Sequence, residues 1–94
     1  MKIDFSHAAE ADIAHINREG IRLFGVKQAQ AYAQGLAHAF ELLAEFPLAN
    51  PERTYMRRPI RAHTYGAHVI IYTIEDDTVL VLRIRQGRED WQDE

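Results

Sequence analysis

The sequence predicts an α+β domain with the element order β-α-α-β-β-β, a helical hairpin packed on one antiparallel sheet. Three observations predict it. A short alternating segment at the start runs into a serine placed as a helix cap. Two apolar stripes at helical spacing follow, separated by a single glycine. The last third of the chain then alternates with period two in apolar runs broken by turn residues.

Each element has its own signal. Lys2 to Phe5 puts Ile3 and Phe5 on one side, as a strand does. Ser6, the only serine, stands where an N-cap belongs. Ala9, Ile13, Ile16, Gly20 and Leu23 then recur at spacings of three and four, an amphipathic helix broken at Gly25. A second helix begins near Val26 with Ala29, Tyr32, Ala33, Leu36, Phe40 and Leu43 on one face, and it stops before Pro47. Gly35 inside it costs about 1 kcal/mol relative to alanine, which suggests a close approach or simple tolerance. Residues 48–54, with Pro51, read as a loop. Residues 58–65 form a strand made irregular at its start by Pro59. Gly66 marks a turn. Residues 68–74 and 78–85 pair as a hairpin around the acidic turn Glu75-Asp76-Asp77. Val69 and Ile71 face one way and Ile70, Tyr72 and Ile74 the other, so this strand is central and covered on both sides.

With 94 residues the chain has room for one domain, 1–94. A hydrophobic content of 47% and a charged content of 27% belong to a globular protein. The absence of cysteine excludes disulfide staples and thiolate metal sites and fits a reducing compartment. No apolar run resembles a signal peptide or reaches the roughly 20 residues that span a bilayer, so a cytoplasmic protein without membrane partners is expected. A net charge of −3 argues against phosphate binding as the main task, and no direct sequence-specific contact with nucleic acid is expected. Arginine nevertheless outnumbers lysine nine to two, clustered at Arg53, Arg57, Arg58 and Arg61 and again at Arg83, Arg85 and Arg88. Arginine is the cation suited to bidentate, partly desolvated contacts, which points to a recognition surface.

Little in the chain supports covalent or metal chemistry. Ser6 has a sufficient task as a cap. The histidines His7, His15, His38, His63 and His68 show no ligand spacing, and Gly66 and Gly87 stand outside any phosphate-binding loop, so no metal and no cofactor are expected. Metal-free RNA cleavage would need a base, an acid and cations around the phosphorane. Arg61, Arg83 and Arg85 would supply the cations and His63 the base, provided the fold brought them together. Trp91 reads either as a cap on the core or as an anchor for a partner, since tryptophan and arginine dominate binding hot spots. Leu23, Phe24, Leu42 and Phe46 are surplus to the helical stripes and read as extra core or as the rim of an exposed groove.

The order of these motifs resembles the ParE branch of the ParE/RelE toxin superfamily. The likeness rests on E-G-I-R-L-F-G at the helical bend, F-E-L-L-A-E-F-P closing the second helix, then R-R-P-I-R, H-V-I-I-Y and L-R-I-R-Q-G-R-E-D-W. The last is the most specific, because family members typically end in an R-I-x-H-G-R-x-x-W-like segment. The resemblance implies the ParE/RelE-like fold and a toxin of a type II toxin–antitoxin pair, in a hetero-oligomer with a ParD-like antitoxin. ParE-type toxins stall DNA gyrase by binding it, whereas RelE-type relatives cleave mRNA in the ribosome. Antitoxins of this class wrap a segment over the helical hairpin and the sheet edge.

The resemblance marks Arg83, Arg88, Asp90 and Trp91 as candidate gyrase contacts. Leu23, Phe24, Leu42 and Phe46, with Arg57, Arg58 and Arg61, are the candidate antitoxin contacts. Gln86 stands where many family members carry histidine, and an amide exchanges no proton near neutral pH. The acidic balance is a second departure from a superfamily whose toxins are more often basic. The expected function is therefore gyrase inhibition by non-covalent binding. The alternatives are a RelE-like ribosome-dependent mRNA endonuclease and a non-toxic remnant that binds only its antitoxin.

Overall fold

The computed structural model of the chain describes residues 1–87. Strand β1 (Lys2–Phe5) leads into helices α1 (His7–Phe24) and α2 (Val26–Glu45). Strands β2 (Glu52–Tyr55), β3 (Arg58–Tyr65), β4 (His68–Glu75) and β5 (Thr78–Gln86) follow. Ser6 makes the first junction. Its Oγ accepts the Ala9 N–H at 3.0 Å and donates to the Leu82 carbonyl at 2.7 Å. The cap is thus also a tie to the sheet, because Leu82 is the residue left over where the β4–β5 register steps from Ile71–Arg83 to Tyr72–Val81.

Gly25 serves both helices. At φ 87° it ends α1, its N–H closing on the Ile21 carbonyl, and its own carbonyl receives the Ala29 N–H of α2. The hairpin closes tightly at Gly20, where a Cβ would lie 3.4 Å from the Ala29 Cβ. Helix α2 stops at Phe46, whose N–H bonds the Leu42 carbonyl at 2.8 Å just before Pro47.

The sheet order is β1-β5-β4-β3-β2, so β4 is central as its two-sided apolar pattern predicts. Two features differ from expectation. The sheet is mixed, not wholly antiparallel, because β1 lies parallel to β5, with Lys2 opposite Thr78 and Phe5 opposite Val81. The intervening hairpin and strands give the chain the length that a parallel neighbour requires. β2 begins inside the segment expected as a loop, takes up its last three residues together with Tyr55, and pairs antiparallel with β3. Tyr55 alone is buried in that strand, which left no alternation to read. Its turn, Met56-Arg57, takes positive φ at both positions (50° and 65°), the two-residue hairpin geometry without the usual Asn-Gly signature.

Both helices pack on one face of the sheet. Ala9, Leu36, Phe40 and Leu43 meet Ile70, Tyr72, Val79, Val81 and Ile84 there, with Phe5 edge-on to Phe40 at 4.9 Å between ring centroids. A second, smaller cluster of Tyr55, Ile60, Val69 and Ile71 occupies the opposite face.

Candidate binding groove

A groove of about 1080 Å³ runs between the helical hairpin and the ends of β4 and β5. That is at the top of the roughly 300–1,000 Å³ range of ligand sites, and an open apolar groove of this size also suits a polypeptide segment. Ile16, Gly20, Leu23 and Phe24 form its α1 wall, Tyr32 stands on α2, and Gln86 closes the strand end. Leu23 and Phe24 are 56% and 61% exposed, so of the two readings open to them the groove rim is the one observed. The α1 stripe ends in apolar side chains because Gly25 reverses the chain before the stripe can turn back onto the sheet.

The floor is polar and hydrogen-bonded. Tyr32 Oη lies 2.6 Å from His68 Nδ1 and 3.2 Å from the Tyr65 carbonyl, to which it donates, and it accepts the Ala67 N–H at 3.2 Å. Tyr65 Oη donates back to the Tyr32 carbonyl at 3.4 Å. Burial holds the Tyr32 phenol above the usual tyrosine range, with the Ala67 N–H pulling the other way. Two glycines make room for this cluster: a Cβ at Gly35 would fall 1.7 Å from Tyr65 Oη, and one at Gly66 (φ +55°) 2.7 Å from Tyr32 Oη. Gly35 therefore marks a close approach.

At the strand edge, Asp12 of α1 holds Arg83. Arg83 Nε donates to Asp12 Oδ2 at 2.9 Å and its terminal nitrogen to Oδ1 at 3.1 Å, while Ile84 N–H donates to Oδ2 at 2.8 Å. Beyond Phe5 there is no β1 residue left to pair with β5, and Asp12 takes over the edge N–H of Ile84. The hydrogen bonds to Asp12 raise Arg83 above its ordinary value, against the pull of burial. Arg83, read as a target contact, thus has an internal partner. Asp12 and the Tyr32–Tyr65–His68 cluster were missed in the sequence, although Gly35 and Gly66, each packed on a tyrosine ring, were the available signal.

The remaining candidates separate. Leu42 and Phe46 are exposed, but at the far end of α2, whose 20 residues span about 30 Å, so they form a patch apart from Leu23 and Phe24. Phe46 there borders a small apolar recess with Pro47 and Leu48. Arg57 is exposed in the β2–β3 turn, and Arg58 lies 3.8 Å from Glu75. Arg61 donates to the Asn50 carbonyl at 2.5 Å, and His63 Nδ1 meets the Asn50 amide at 3.0 Å. His63 and Arg61 are therefore on β3, bracing the loop after α2, while Arg83 sits two strands away on β5 against α1. Arg88, Asp90 and Trp91 lie outside the described residues. Among the described residues no group of three or more His, Asp or Glu is placed to hold a metal, and no helix is long and apolar enough to cross a membrane.

Comparison with known proteins adds the family. Among solved structures, a chain described as the "Chromosomal ParDE TA system from P. aeruginosa" superposes with a TM-score of 0.79 at 18% identity, covering 92% of this chain and 95% of that one. At that identity the likeness shows the fold. No curated protein matches significantly. The family model "ParE toxin of type II toxin-antitoxin system, parDE" matches residues 3–91, nearly the whole chain. Such a system has two components, so an antitoxin partner is implied. The chain belongs to the ParE toxin family of type II toxin–antitoxin systems.

Proposed function

We propose that this toxin acts in the cytoplasm by binding DNA gyrase without chemical change to it, and that a ParD-like antitoxin silences it in a hetero-oligomer. The observation that carries the non-catalytic part is the separation of the side chains that RNA cleavage would use. His63 and Arg61 are engaged with Asn50 on one side of β4, and Arg83 is engaged with Asp12 on the other. Gln86 stands opposite His68, and the Nδ1 of that imidazole is already taken by Tyr32. A general base must reach its proton within hydrogen-bond distance, and among the described residues no such pairing is assembled.

The target-facing edge is the end of β5 and its continuation, with Arg83, Arg88, Asp90 and Trp91. The antitoxin takes the groove at Leu23 and Phe24 and the patch at Leu42 and Phe46, with Arg57, Arg58 and Arg61 as flanking cations. Exposed apolar anchors, with arginines elsewhere on the surface, suit an amphipathic acidic segment. The test is a gyrase supercoiling assay run beside translation-coupled mRNA cleavage, each with and without the antitoxin from the adjacent reading frame. Antitoxin-reversible loss of supercoiling with intact mRNA is expected; cleaved mRNA with unaffected supercoiling overturns the proposal.

A further inference from the structure

On the groove floor, the partners of one hydroxyl decide where a neighbouring proton sits. A phenol has one proton to give and two lone pairs that accept. Tyr32 Oη meets three partners: the Tyr65 carbonyl at 3.2 Å, the Ala67 N–H at 3.2 Å and His68 Nδ1 at 2.6 Å. A carbonyl only accepts and a backbone N–H only donates, so the phenol proton goes to Tyr65 and one lone pair to Ala67. His68 Nδ1 faces the second lone pair, and it must carry a hydrogen to bond there. Were the phenol to donate to His68 instead, Tyr32 Oη and the Tyr65 carbonyl oxygen would stand 3.2 Å apart with no proton between them.

Ring packing supports the same arrangement. The Tyr32 ring lies against Tyr65 at 5.1 Å between centroids and edge-on to His68 at 5.6 Å. The hydrogen bond made by one imidazole nitrogen sets which of the two is protonated. With hydrogen held on Nδ1, the next proton enters at Nε2. His68 therefore gains its charge without giving up the bond to Tyr32, and the floor turns positive while keeping its shape.

The charges around His68 leave that change visible. Among the described residues the groove's carboxylates are Asp12 and Glu19 of α1, and each holds an arginine: Asp12 holds Arg83, and Glu19 holds Arg22 at 2.7 Å. Arg83 and Arg85 of β5 stay charged near neutral pH, and Tyr32 of α2 and Tyr65 of β3 stay neutral. Only His68 and His15 of α1 then change charge, and His15 is exposed, where water screens it, while His68 is half-buried. We propose that Tyr32 holds His68 in its Nδ1–H form and that His68 is the pH-responsive element of the groove, binding an acidic segment more tightly as the pH falls. This regulation rests on the reading that the antitoxin takes the groove.

Two measurements on the full chain test it. Long-range proton–nitrogen NMR at about pH 8 should show His68 protonated on Nδ1, and Tyr32→Phe should move it towards the Nε2–H form. Calorimetric titration with the antitoxin from the adjacent reading frame should show affinity rising several-fold from about pH 8 to about pH 5.5. His68→Gln should flatten most of that rise, and His15→Gln should keep most of it. Glutamine retains an amide donor for Tyr32; circular dichroism checks the fold, and His68→Asn replaces it if it unfolds. An Nε2–H imidazole in the unaltered protein overturns the proposal. So does a rise that survives His68→Gln in full, when Phe24→Ser weakens binding as the groove reading requires. Binding indifferent to Phe24→Ser overturns the groove reading itself, and this regulation with it.

Discussion

Asp12 and Arg83, 71 residues apart in sequence, are joined by two side-chain hydrogen bonds, and the same carboxylate also holds the Ile84 N–H. One helical residue thereby fixes both the angle of α1 over the sheet and the direction of the Arg83 guanidinium. The two partners are unequal. Arg83→Ala leaves Asp12 with a backbone donor, whereas Asp12→Ala leaves a guanidinium and an edge N–H without their acceptor. Asp12→Ala should cost about 2 kcal/mol, discounted for the partial exposure of Arg83, and Arg83→Ala less. Urea denaturation of the two variants checks the order.

Gly35→Ala should destabilise by about 1–3 kcal/mol although alanine is the better helix former, because its Cβ and Tyr65 Oη cannot both keep their places. Tyr65→Phe in the same chain should recover part of the loss. Thermal unfolding of the single and double variants measures the coupling.

Tyr32 makes stability fall at high pH. Its folded value is raised by burial, so its contribution is fully present below the ordinary tyrosine value and is lost as pH rises through the folded one. Denaturation midpoints from roughly pH 9 to 11 should decline, and Tyr32→Phe should flatten that decline. An unchanged slope in the variant would assign the effect to another group.

Phe24→Ser should weaken antitoxin binding at least tenfold, about 1.4 kcal/mol or more, with little change in the toxin's own melting temperature. Phe24 is exposed and contributes little to the core. Leu42→Ser should weaken binding independently, because the two patches stand at opposite ends of α2. Calorimetric titration of each variant and the pair checks additivity.

Legibility in the sequence followed how far each signal depended on distant residues. The helices, the Ser6 cap, the Gly25 break and the β4–β5 hairpin were readable because their causes lie within a few positions. β2 was not, since a four-residue edge strand with one buried side chain has no period to show. Nor was the parallel place of β1, which depends on where β5 arrives 76 positions after Lys2. For the site, the apolar excess at Leu23 and Phe24 was visible as composition, but that it and Leu42–Phe46 form two surfaces follows from helix length. Asp12 gave no sign, because its meaning comes from Arg83 and Ile84.

Among the described residues the sheet is bordered by β1 and β2, and each is only four residues long. Lys2 and Asp4 stand exposed on one, Glu52 and Arg53 on the other. A border this short and this charged is a poor template for a further strand. A toxin released from its antitoxin spends time as a lone chain, and stacking border to border into fibres would remove it as surely as the antitoxin does. The brevity of β1 and β2 keeps the released molecule available to act.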